Sequence, residues 1–196
     1  MTTNASEDLA RLIITTGPNV CLRRKTREDA TQDYRWRTNP ENARFDGQTP
    51  LQQTFDQFLR QLESDLAFGH AERETFAITT VEGRHIGNLM YYNADSIAGE
   101  AEFGINLGTE ELRGHGAGTE ATVLFLDYLW ANRPFRRVHL HTLLWNERAI
   151  RSFRKAGFSD AGTIERNGET YLRMEVRREW WLLWKTEGRF AAYLPS

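Results

Sequence analysis

With 196 residues, 40% of them hydrophobic and 27% charged, the chain can bury one sizeable core and is too apolar for a disordered tract, so we expect a single domain over 1–196. A formal net charge of -2 lacks the basic excess that phosphate-backbone binding demands, which argues against nucleic acid as a partner. Cys21 is the only cysteine, so an intrachain disulfide is excluded, and no stretch approaches the ~18 apolar residues of a membrane span; we expect no membrane partner and a cytoplasmic chain.

Residues 1–18 read as a polar N-terminal extension, with a first strand at Val20–Arg23. Thr26 followed three residues later by Asp29 is a helix-starting cap, and a helix through Tyr34 and Trp36 is predicted after it. Pro40 and Gly47 punctuate a predicted loop. Phe55, Phe58, Leu59, Leu62 and Leu66 then recur at three and four residues, the spacing of a helix with one buried face. Two extended runs, 75–81 and 84–92, flank Glu82-Gly83 as a hairpin, and a third run spans Glu100–Leu107. Ala121, Leu124, Phe125, Tyr128 and Leu129 predict a helix over 119–131 that faces the core. Residues 137–145 alternate as a strand, 147–156 read as a short helix stopped by Gly157, and two strands flank Asn167-Gly168. The order predicts a mixed α/β fold, a sheet with helices on its faces. Trp180, Trp181 and Trp184 lie in an apolar closing element, which packs on the core or forms a homodimer interface.

The chemistry-bearing segment is Arg113-Gly114-His115-Gly116-Ala117-Gly118, between a predicted strand and a predicted helix. Glycines let main-chain N–H groups approach a ligand, and the helix N-terminus adds unpaired donors and a dipole that favours an anion. Arg113 and a protonated His115 would add charge at the rim. A P-loop would need Gly-Lys-Ser/Thr, whereas Gly118 is followed by Thr119-Glu120. A dinucleotide site would need G-x-G-x-x-G, whereas these glycines are spaced G-x-G-x-G. The bland alternative is a glycine-rich turn that only connects strand to helix.

The segment Arg113–Gly118 resembles the R/Q-x-x-G-x-G/A signature of the GNAT superfamily. The resemblance extends to Ala101-Glu102-Phe103-Gly104-Ile105, to Asn146-Glu147-Arg148-Ala149-Ile150, and to Phe153 and Lys155-Ala156-Gly157-Phe158. It is nearest to the subgroup of ribosomal-protein N-terminal acetyltransferases and spermidine acetyltransferase. The resemblance implies a central, mostly antiparallel sheet splayed at a coenzyme A cleft, with acetyl-CoA as acyl donor and an amine as acceptor. It places the pyrophosphate on Arg113, Gly114, His115, Gly116, Ala117 and Gly118. It places the pantetheine against Ile105, Asn106 and Leu107, with the Asn146 side chain bonding it and Arg148 also on the cofactor. Asn146 reads equally as the cap of the helix that follows.

An amine must lose a proton to attack a thioester, so a base is needed, and Glu102 is the candidate; its bland reading is a strand carboxylate in a salt bridge. Relatives carry a tyrosine at the position of Phe153 to protonate the departing thiolate. Phenylalanine has no proton to give, so the general acid is expected to be absent or replaced by water, Ser152 or another group, and an acyl-CoA-binding protein with weak turnover is the rival reading. His139 and His141 share a strand face, but two histidines make an incomplete metal site and we expect no metal. Asp46, Asp95 and Glu100 would attract a cationic amine, Arg37 and Arg44 would not, and the acceptor stays open between a peptide N-terminus, a polyamine and another small amine.

Overall fold

The computed structural model describes residues 12–108 and 114–194. Among these the chain runs β1 (Ile13–Thr16), β2 (Val20–Arg24), α1 (Ala30–Thr38), α2 (Pro40–Phe45), α3 (Phe55–Phe68), β3 (Glu74–Thr80), β4 (His85–Asp95), β5 (Glu100–Leu107), α4 (Ala117–Asn132), β6 (Arg137–Leu143), α5 (Glu147–Lys155), β7 (Ser159–Arg166), β8 (Glu169–Arg177) and α6 (Arg178–Thr186). One eight-stranded sheet holds all the strands in the order β1-β2-β3-β4-β5-β6-β8-β7. Every neighbouring pair is antiparallel except β5 with β6. That parallel pair needs a crossover, and α4 supplies it.

Alternation along the strands divides the sheet into two faces. Phe76, Leu89 and Phe103 point to the core, where Phe76 and Phe103 meet Phe125 of α4 edge-on and tilted at 5.6 and 5.4 Å. The opposite face carries Asn88, whose amide donates to Asp33 of α1 at 2.7 Å, while His85 meets Trp36 at 4.8 Å. Helices thus cover both faces. α4 is buried nearly all round from Thr119 to Leu126. Glu120 in its first turn ties it to the β1–β2 turn, accepting from the Asn19 and Val20 N–H groups at 2.7 and 2.9 Å.

Several sequence expectations are met closely. β5 has the expected bounds, and Asn167 and Gly168 both take positive φ (52° and 78°), the requirement of a two-residue hairpin turn whose twist matches its strands. Others are corrected. Residues 13–16, expected within a polar extension, pair with β2 at the sheet edge. The expected loop from Pro40 contains α2, because Asn39 accepts from the N–H groups of Glu41 and Asn42 and Pro40 sits in the first turn, where its missing N–H costs nothing. α3 has no fully buried residue. Its apolar stripe is half-buried because it forms the wall of a cleft. The closing apolar element is α6, with Trp181 stacked on Phe190 at 4.7 Å and donating to the Ala156 carbonyl.

Candidate active site

β5 and β6 pair only through Glu100, Ala101 and Glu102, opposite Arg137, Val138 and His139. Beyond that register the two strands separate. Their gap opens into a cleft of about 1430 Å³ that crosses the sheet and is lined by Phe103–Leu107 of β5, Leu140–Leu143 of β6, the first turn of α4 and residues of α5. Two parallel strands that part after three residues cannot exchange ladder bonds further on, so this edge is available to a ligand's own polar groups.

At one end of the gap stands the N-terminus of α4. Gly116 is its cap residue, at φ 91°, and gives it no side-chain hydrogen bond. Gly114 has the same φ, a conformation that strains any residue with a Cβ. The first N–H groups of α4, those of Ala117, Gly118 and Thr119, lie before the first intrahelical donor, Glu120, which bonds the Gly116 carbonyl. A Cβ on Gly116 or Gly114 would meet nothing within 4 Å, so the space before these donors is open. Gly118 is tighter: a Cβ there would lie 3.3 Å from Leu107 and 3.8 Å from the Ser152 hydroxyl. Helix α4 and β5 therefore approach closely across a side-chain-free residue, and an uncapped helix end faces the cleft, which suits an anion such as a pyrophosphate. His115 is exposed at this rim, and Arg113 lies outside the described residues.

At the other end lies a polar cluster at the point where the strands part. β4 bulges after Tyr92, and Asn93 takes a positive φ of 49°, which asparagine tolerates better than most residues. The bulge turns its amide onto Glu102 Oε2 at 3.1 Å. His141 Nδ1 lies 2.8 Å from Glu102 Oε1, His139 Nε2 lies 3.9 Å from Oε2, and the Tyr92 hydroxyl also bonds the carboxylate. Burial pushes the Glu102 carboxyl up, but the hydrogen bonds from His141, Asn93 and Tyr92 outweigh it and hold it below the usual carboxylate value. The same carboxylate, together with burial, raises the Tyr92 phenol. His139 is held down by burial first, with Arg173 and His141 adding to it. Tyr92 and His141 line the cleft, and Glu102 lies behind them.

The remaining expected residues fall along the same gap. Ile105, Asn106 and Leu107 line it, and Asn106 donates to Asp46 at 2.6 Å while its own Oδ1 is buried without a hydrogen-bond partner among the described residues. Asn146 caps α5, accepting from the Ala149 N–H at 3.3 Å, and also lines the cleft. Arg148 lies over the Phe45 ring at 5.4 Å, and Phe45 packs on Trp145 at 5.6 Å. The end of α2 thereby reaches over to the β6–α5 junction on the side opposite the core.

Two residues sit differently from expectation. Phe153 is 7% exposed and packs edge-on against Phe103 and Phe158. It is a core ring that touches the cleft rather than a side chain projecting into it. Ser152 shares a 2.8 Å hydrogen bond with Thr119 in the first turn of α4. That puts it beside Leu107, about 17 Å of strand from Glu102, at the helix end of the gap. The carboxylates expected to draw a cation are also engaged: Glu100 with Arg137, Asp95 with the Ile97 and Ala98 N–H groups, Asp46 with Asn106. Among the described residues no group of three or more His, Cys, Asp or Glu could hold a metal, and no helix is long and apolar enough to cross a membrane.

The His141–Glu102 pair is what sequence reasoning missed. The strand parity of His139, His141 and Glu102 was legible, but their meeting depends on β5 and β6 being neighbours in register.

A family model described as "Acetyltransferase (GNAT) domain" matches residues 19–159. Among solved structures, the chain is similar to spermidine N-acetyltransferase from Vibrio cholerae in complex with CoA and spermine, with a TM-score of 0.75 and 20% identity over 83% of this chain and 98% of that one. It is also similar to spermidine/spermine N-acetyltransferase SpeG from Vibrio cholerae in complex with manganese ions, with a TM-score of 0.69 and 20% identity over 84% and 96% of the two chains. No curated protein matches it.

Proposed function

From the premise that this chain belongs to the GNAT acetyltransferase family, we propose that it transfers the acetyl group of acetyl-CoA to an amine by direct attack. The observation that carries this reading is one gap with an uncapped helix end at one side and a hydrogen-bonded carboxylate–imidazole cluster at the other. Donor pyrophosphate on the N–H groups of Ala117, Gly118 and Thr119 leaves the pantetheine to run along Leu107, Asn106 and Ile105 toward Glu102. The buried Asn106 Oδ1 without a partner suits an N–H donor of a ligand in the gap. A main-chain N–H of β5 in this stretch would meet the thioester oxygen, where charge develops during attack. Asn146 and Arg148 line the facing wall. The departing thiolate takes its proton from water, since neither the Phe153 ring nor the distant Ser152 is suited to give one.

The similar Vibrio cholerae enzyme is described in complex with CoA and spermine, yet the cleft here does not favour a polycation. Leaving aside Arg148, Arg151 and Lys155 of α5 on the donor side, its described lining has four carboxylates, Asp33, Asp46, Asp65 and Glu74, against five lysines and arginines, Arg24, Lys25, Arg37, Arg73 and Arg133. Three of the four carboxylates are in ion pairs, with Lys25, Arg73 and Arg133, and Asp46 accepts from Asn106. We therefore propose a small or peptidyl monoamine as acceptor. The test is thiol release from acetyl-CoA with an arylalkylamine, a short peptide with a free α-amine, spermidine and an aminoglycoside. Release with a monoamine and little with spermidine is expected; binding of CoA with no release for any amine would favour the acyl-CoA-binding alternative.

A further inference from the structure

Glu102 was expected to be the base, but its geometry suits another task. Both carboxylate oxygens are engaged, Oε1 by His141 Nδ1 at 2.8 Å and Oε2 by Asn93 at 3.1 Å, with Tyr92 as a further partner. Its side chain is 11% exposed and lies behind Tyr92 and His141, which line the cleft. An ionised carboxylate only accepts hydrogen bonds, so His141 Nδ1 must carry a proton and, in the neutral ring, Nε2 is left as an acceptor. No described group bonds that Nε2.

We propose that His141 Nε2 is the proton acceptor of the acetyl transfer and that Glu102 is a positioning residue that fixes the ring's tautomer and stabilises the imidazolium. The assignment rests on the amine acetylation proposed above. As the amine nitrogen bonds to the thioester carbon, its proton passes to Nε2 and the C–S bond breaks. The products are the amide, the thiolate and an imidazolium, which returns its proton to water. The unshared Nε2 lone pair suits this step better than a carboxylate whose two oxygens are already hydrogen-bonded. The charged and titratable groups around the ring are Glu102 from β5, Tyr92 from β4, His139 on its own strand and Arg173, its register partner on β8.

The test compares His141→Asn, Glu102→Gln and Glu102→Asp with acetyl-CoA and the amine that gives the fastest thiol release in the wild type. Asparagine keeps an N–H near the position of Nδ1 and removes Nε2. We expect His141→Asn to lower kcat by about 10²-fold or more, to leave the KM for acetyl-CoA unchanged and to erase the acidic limb of the kcat/KM profile. Glu102→Gln should cost about 10-fold and keep that limb, and Glu102→Asp should restore part of the rate. Wild-type turnover in His141→Asn, with the limb lost in Glu102→Gln, would return the base to Glu102 and overturn the assignment. Long-range proton–nitrogen NMR of the wild type should find the Nδ1–H tautomer at His141 whether or not the variants fold; the Nε2–H tautomer would also overturn it. A wild type that releases no thiol with any amine contradicts the acetylation reading itself, whereas loss confined to the variants does not.

Discussion

At the scale of single residues, Phe153 separates packing from chemistry. Its position is where relatives carry a proton donor, but in this chain the ring closes an aromatic cluster with Phe103 and Phe158. Phe153→Ala should therefore destabilise the fold by about 3 to 5 kcal/mol, the cost of emptying a buried aromatic site, as read from urea unfolding. A loss under about 1 kcal/mol would say that the ring is a cleft side chain with little share in the core. Glu102 teaches a related lesson. In the sequence it is a candidate base on a strand, and nothing local revealed that His141, 39 residues away, would take one of its oxygens.

Among the elements, the glycine-led start of α4 was legible because glycine spacing between a strand and a helix is a local signal. β5 was legible for the same reason, an uninterrupted extended run between polar loops. α2 was not, since Pro40 and Gly47 signal a break unless Asn39 is recognised as the cap that makes Pro40 a first-turn residue. The separation of β5 from β6 is a tertiary feature with no pattern in either strand. The cradle itself is testable through Gly116, where the backbone has positive φ and open space in front. Gly116→Asp sets a carboxylate before the N–H groups of α4, and should weaken CoA binding by about tenfold or more in calorimetry, since 1.4 kcal/mol of repulsion suffices for that. Unchanged affinity in a folded variant would remove the helix end from the donor site.

Over the whole molecule, buried ionisable groups tie stability to pH. His85, packed between β4 and α1 beside Asp29, Asp33 and Lys25, is held below its ordinary 6.5 by burial first and then by Lys25. His139 is shifted in the same direction. The unfolded chain therefore binds protons near pH 6.5 that the folded chain refuses, so their contribution is whole above about pH 6.5 and shrinks as pH falls. Burial pushes Asp29 up, but Arg23 and Lys25 outweigh it and hold it below its ordinary 3.8, so its contribution persists above about pH 4 and is lost below. Both groups act with one sign. Urea midpoints should be highest near neutral pH and fall in two stages, below about pH 6.5 and again below about pH 4; a midpoint that rises on acidification would contradict this account of the buried cluster. The most direct measurement of the function follows an isotopically labelled acetyl group from acetyl-CoA, using mass spectrometry of the amine after incubation with the purified protein. The account predicts the label in an amide of a monoamine, formed in step with free CoA. Free CoA with the label only in acetate, or no release at all, would contradict it.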